Sequence, residues 1–139
     1  MSTQIPHLGY LLKRVQSRFF ELSAAALAPF GISGREAAVL RAIDSQRPLS
    51  QGEIARTMNV DRTTMVALID DLQDKGLVER RQDPDDRRKN VVELTDPGRD
   101  ILRRAAAAGA QAERAFLSPL SAGEAEQFRK TLRTLLGDG

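Results

Sequence analysis

Two clusters of hydrogen-bond donors stand out in the middle of the chain. Arg62-Thr63-Thr64 is one, and Arg87-Arg88-Lys89 is the other, directly behind Asp83-Pro84-Asp85-Asp86. Guanidinium, ammonium and hydroxyl groups of this kind donate to phosphate oxygens and to the edges of nucleic-acid bases. Thr63 and Thr64 suit base edges or phosphates, and a threonine methyl or Val66 suits the methyl group of thymine. Arg62 has the reach for a phosphate or a guanine. Paired arginines on a narrow tip match the negative potential of a tight minor groove. Asp86 is expected to aim Arg88 through a bidentate pair. Ser50 and Gln51 open another segment and are expected beside a backbone phosphate, which a helix N-terminus also attracts.

Composition narrows the alternatives. The 139 residues include no cysteine and a single histidine, His7. Disulfides, zinc–thiolate sites and thiol switches are therefore excluded, and a histidine metal cluster has too few ligands. No glycine-rich phosphate loop and no paired acid and base mark an enzyme, and no cofactor is expected. The apolar runs fall far short of the ~20 residues of a membrane span. Met1-Ser2-Thr3-Gln4 lacks the plan of a signal peptide, so the expectation is a cytoplasmic protein. Net charge is only +2, and residues 33–95 hold 11 Lys and Arg against 12 Asp and Glu. Placement of charge must therefore matter more than its total, because only cations that reach phosphates release counterions.

The elements that position these donors follow from periodicity and capping. Residues 5–28 read as a helix with Leu8, Leu11, Leu12, Val15, Phe19, Leu22 and Ala26 on one stripe, and with Pro6 in its first turn. Ser33 and Glu36 form a capping box for a helix over about 34–45, which Arg47-Pro48 should break. Ser50 and Glu53 repeat the box for a short third helix ending near 57–59. A fourth begins at Asp61 or Arg62 and stops at Gly76; Asp70, Asp71, Asp74 and Lys75 are expected in solvent. Residues 77–81 and 91–94 read as strands of a hairpin across a polar tip. A fifth helix is expected over about 97–117, and a sixth over 122–136 behind a Ser121–Glu124 box.

The succession helix, helix, strand, arginine-rich tip, strand is a winged helix-turn-helix, whose second helix enters the major groove N-terminus first. The fold class is mainly α (α+β), with about six helices and a two- or three-stranded wing. Gly76-Leu77-Val78-Glu79-Arg80-Arg81, Asp83-Pro84-Asp85-Asp86-Arg87-Arg88, Val92-Glu93-Leu94-Thr95 and Gly98 together resemble the MarR (multiple-antibiotic-resistance regulator) family of bacterial transcription factors. The resemblance covers nearly the whole chain. It implies a homodimeric repressor on a pseudo-palindromic operator in double-stranded DNA. Residues 1–32 would be an N-terminal dimerisation helix, 33–96 the DNA-binding lobe and 97–139 the C-terminal dimerisation helices. It also implies that Arg88 enters the minor groove with Asp86 as its orienting partner. Many members carry a basic residue where this chain has Ala67, so readout there shifts to Val66 and Ala67, or to Arg62.

The same resemblance implies a small aromatic or carboxylate effector between the dimerisation helices and the lobe. His7, Tyr10, Arg14 and Phe30 are the candidate liners. The simpler reading puts Tyr10 at a dimer seam, His7 on the surface at a helix start, and Arg14 on a solvated face. The alternative function is a protein–protein module on a winged-helix scaffold, which would have no need of Thr63, Thr64 and the 87–89 tip.

Overall fold

Three serine–glutamate pairs set the helical starts. In the computed structural model, which describes residues 7–45 and 47–138, Ser33, Ser50 and Ser121 each accept from the backbone amide three residues on. Glu36, Glu53 and Glu124 each reach back to the serine's own amide. Each box satisfies two backbone donors that a helix start otherwise leaves without partners.

The elements are α1 (Leu8–Leu27), a 3₁₀ turn at Ala28–Phe30, α2 (Gly34–Ile43), β1 (Leu49–Ser50), α3 (Gln51–Met58) and α4 (Arg62–Asp74). They continue through β2 (Val78–Gln82), β3 (Asn90–Leu94), α5 (Asp96–Leu117) and α6 (Ala122–Leu136). The strands form an antiparallel sheet in the order β1-β3-β2. The fold is thus the expected mainly α winged helix-turn-helix, with three strands in its sheet. β1 escaped the sequence reading because two residues are too short to show an alternation. Leu49 and Ser50 pair with Val92 and Val91, so Ser50 both closes the sheet and caps α3. α2 ends at Ile43, before the expected 45. The chain turns there through a Ser45 N–H to Ile43 carbonyl bond of 2.7 Å, well ahead of Pro48. α1 starts at Leu8, and the expectation for Pro6 lies outside the described residues.

One buried cluster unites the helix-turn-helix and the sheet. Val39, Leu40, Ile54, Met65, Ile69, Leu72 and Val92 have no exposed surface. Leu27 and Ile32 join this cluster from one side, and Leu102 and Ala105 from α5. Phe19 meets Phe116 edge to face at 5.3 Å, while Leu27 shares the cluster with Leu102 and Ala105. α1 and α5 therefore run antiparallel, and the alanines of α5 admit the close approach.

The joint between wing and α5 tolerates no side chain. A Cβ on Gly98 would lie 2.0 Å from the Leu77 carbonyl oxygen. Thr95 donates its hydroxyl to the Gly76 carbonyl at 2.6 Å and accepts from the Gly98 amide at 3.0 Å. The start of β2 is thereby fastened to the first turn of α5.

Candidate nucleic-acid interface

α4 opens on Asp61, whose carboxylate accepts from the Thr64 amide at 3.0 Å and the Thr64 hydroxyl at 2.6 Å. The hydroxyl and then the amide of Thr64 hold the Asp61 carboxyl below its ordinary pKa, so it stays ionised as a cap. Thr64 has therefore committed its one donor to the protein, and only its oxygen lone pairs and methyl remain for a ligand. Arg62, Thr63 and Ala67 are exposed, and Val66 is half-buried.

A polar concavity of about 230 Å³ lies where α3, the start of α4 and the base of the wing meet. Ser50, Gln51, Gly52, Arg56, Arg62, Arg88, Lys89 and Asn90 line it. A Cβ on Gly52 would sit 3.5 Å from Arg56 Nη1 and 3.8 Å from Arg62 Nη2, so both guanidiniums converge over this glycine. No carboxylate lines the hollow, and among the described residues none lies within 4.0 Å of Arg56, Arg62, Arg87 or Lys89. Like charges brought together without a counter-charge repel, and an anion between them relieves the repulsion.

Four other cations of the lobe are already matched. Arg47 pairs with Glu53 at 2.7 Å, Arg80 with Asp70 at 2.7 Å, and Arg81 with Glu93. Lys75 spans the Gly31 carbonyl at 2.8 Å and the nearly buried Glu36 at 2.8 Å. Asp70 and Lys75 are exposed, as expected from sequence, and they also join α4 to β2 and to α2. Burial pushes the Glu36 pKa up, but the Lys75 ammonium and the Ser33 cap outweigh it and leave the pKa below the ordinary 4.5.

The wing tip corrects one detail of the sequence reading. Asp86 does not grip Arg88 in a bidentate pair. Its Oδ1 accepts from the Arg88 backbone amide at 3.1 Å, and the Arg88 Nε is 3.8 Å away. Asp83 does similar work, accepting from the Asp85 amide at 2.9 Å while its own amide donates to the Lys89 carbonyl at 2.9 Å. The tip acids fold the tip. They leave the Arg88 side chain 95% exposed.

A family model described as the MarR family matches residues 30–89. The HTH-type transcriptional repressor Rv2887 of Mycobacterium tuberculosis is 33% identical over 131 residues, 94% of each chain. The chain belongs to the MarR family. Members of that family are transcription regulators, not enzymes. Among solved structures, a mutant of MarR from E. coli complexed with operator DNA superposes with a TM-score of 0.85 at 27% identity, over 93% of each chain. CouR from Rhodococcus jostii RHA1 bound to p-coumaroyl-CoA superposes with a TM-score of 0.81 at 30% identity, over 96% of this chain and 95% of that one.

In this MarR-family chain the hollow gathers Ser50, Gln51, Arg62, Arg88 and Lys89 from the set expected on sequence. Thr63, Thr64, Val66 and Ala67 continue from it along α4, and Arg87 lies on the exposed tip. Arg56 and Asn90 are additions. The signal for Arg56 was available: at i+4 from Gly52 on a short helix it shares a face with the helix start. The candidate effector residues do not come together within the chain. Tyr10 and Arg14 lie one turn apart near the start of α1, with Arg14 Nη1 donating to the Tyr10 hydroxyl at 3.4 Å. Phe30 lies past the other end of that helix, under the Arg104 guanidinium at 5.4 Å. The intervening α1 is roughly 30 Å long at 1.5 Å per residue. His7 is exposed and makes no side-chain cap. Among the described residues no helix is long and apolar enough to cross a membrane.

Proposed function

We propose that this chain is a cytoplasmic, homodimeric repressor that binds a pseudo-palindromic operator in double-stranded DNA. α4 reads the major groove through Arg62, Thr63, Val66 and Ala67, while Arg88 enters the minor groove. Ser50, Gln51, Arg56 and Lys89 take phosphates between the two. The observation that carries this reading is the concavity lined by Arg56, Arg62, Arg88 and Lys89 with no carboxylate in its wall. Residues 1–32 and 97–139 hold two such lobes about one helical turn of DNA apart, ~34 Å centre to centre. A small aromatic or carboxylate effector relieves repression, as the acyl-CoA complex of CouR suggests for a relative. A protein–protein scaffold would leave the converging cations without a task.

Fluorescence polarisation with duplex from the chain's own upstream region tests the reading. Specific binding should weaken with salt at a log–log slope near −4, about 0.9 for each of the four phosphates that Arg56 and Lys89 neutralise per dimer. Equal affinity for random duplex at about 150 mM salt overturns the specific-repressor claim. Arg88→Ala should cost roughly ten- to a hundredfold in operator affinity with the dimer intact; unchanged affinity removes the wing from the mechanism.

A further inference from the structure

Arg80 stands on the face of β2 that also carries the buried Val78, and four acceptors surround its guanidinium. Nε donates to Gln51 Oε1 at 2.7 Å, Nη1 to Gln73 Oε1 at 2.7 Å, and Nη2 to the Val66 carbonyl at 3.3 Å. The Asp70 carboxylate lies 2.7 Å from Nη2, and the Arg80 side chain is only 20% exposed. Its charge and most of its donors are thus committed inside the lobe. One cation ties β2 to α4 at three points and to the first residue of α3.

We propose that Arg80 is a positioning residue that fixes the polarity of the Gln51 side-chain amide, so that Gln51 presents donors to a DNA phosphodiester. A glutamine amide has an acceptor end and a two-donor end. Turning it over here would set its NH₂ group against the Nε–H of Arg80, donor against donor. The oxygen is therefore held inward, and the NH₂ is left for the hollow that Gln51 lines with Ser50, Arg56, Arg62 and Arg88. Two donors aimed beside converging guanidiniums select an acceptor oxygen bearing negative charge. Matching of Asp70 by Arg80 also removes a bare carboxylate from the face of α4 nearest the wing. This inference rests on the DNA-docking reading and names one contact within it.

Polarisation titrations on operator duplex at several salt concentrations test it, with thermal melting of each variant as the folding control. Gln51→Glu keeps an oxygen for Arg80 but turns an acceptor toward the phosphate. It should bind roughly ten- to a hundredfold more weakly and flatten the salt slope, with melting unchanged. Arg80→Met combined with Asp70→Asn leaves the local charge unchanged. It should weaken binding several-fold while keeping the wild-type salt slope, because Arg80 itself touches no phosphate. A slope reduced by about 0.9 per protomer in that double variant would make Arg80 a phosphate contact and overturn the proposal. Wild-type affinity in Gln51→Glu would overturn it too. Failure of the unmutated protein to bind any duplex would instead remove the DNA reading, and this inference with it.

Discussion

The winged lobe and the end helices carry the same kind of apolar stripe, yet the stripes meet different fates. In the lobe, the stripes of α2, α3 and α4 close on one another and on β3, and large side chains such as Leu40, Ile69 and Leu72 are fully buried. α6 has an equally regular stripe and no buried residue, and α1 buries only Leu27. Leu8, Leu11, Leu12 and Val15 at the start of α1, and Leu132, Leu135 and Leu136 at the end of α6, stand exposed. Periodicity therefore reports that a face wants cover, not who supplies it. The lobe supplies most of its own, with Leu27 of α1 and Leu102 and Ala105 of α5 completing it, while the far ends of α1 and α6 carry an apolar surface larger than single scattered side chains would give. A second copy of the chain is the cover we propose.

The strongest way to break this contrast is to damage the self-sufficient half. Leu40→Ala removes a side chain with no exposed surface. It should cost about 2–5 kcal/mol in chemical denaturation, and a cost below ~1 kcal/mol would mean that the lobe core is not closed. Leu135→Glu with Leu136→Glu should act in the opposite way. Sedimentation should show a monomer, operator affinity should collapse, and the denaturation midpoint of the isolated protomer should stay where it was. A persistent dimer would show that the exposed stripe of α6 is not the seam. The smallest effect concerns Glu36 and Lys75, the pair that joins α2 to α4. The Glu36 pKa is lowered in the folded state, so its contribution is whole above about pH 4.5 and is lost as pH falls through the lowered value. Urea midpoints should therefore drop on acidification, and Lys75→Met should flatten that drop. With Lys75 partly in solvent the difference is about 1 kcal/mol or less.

Local rules were legible in the sequence, and long-range partners were not. Ser33–Glu36, Ser50–Glu53 and Ser121–Glu124 announced three helix starts because a capping box is written in four consecutive residues. α6 runs over the expected 122–136 for the same reason, with Gly137 in the left-handed conformation at its end. Thr64, by contrast, looked like a free reader of bases, and only the folded turn shows its hydroxyl committed to Asp61. The acids of the tip looked like partners for arginine side chains, whereas they chiefly bond backbone amides. Arg80 and Arg81 are neighbours of identical type with different partners. Strand alternation places Arg80 on the side of Val78, but its partners Gln51, Val66 and Asp70 lie up to 29 residues away. No local pattern names a partner at that distance.

The strand order has a further consequence for a protein that would work in pairs. With β3 in the middle, β2 is left as an outer strand of five residues. An outer strand offers unpaired backbone groups on which another sheet can grow. Here that edge reads Val-Glu-Arg-Arg-Gln, with Glu79, Arg81 and Gln82 exposed. Another copy approaching edge to edge would have to strip water from these charged and polar side chains. The residues that brace the wing therefore also guard against aggregation, leaving the apolar ends of α1 and α6 as the cheaper route to self-association.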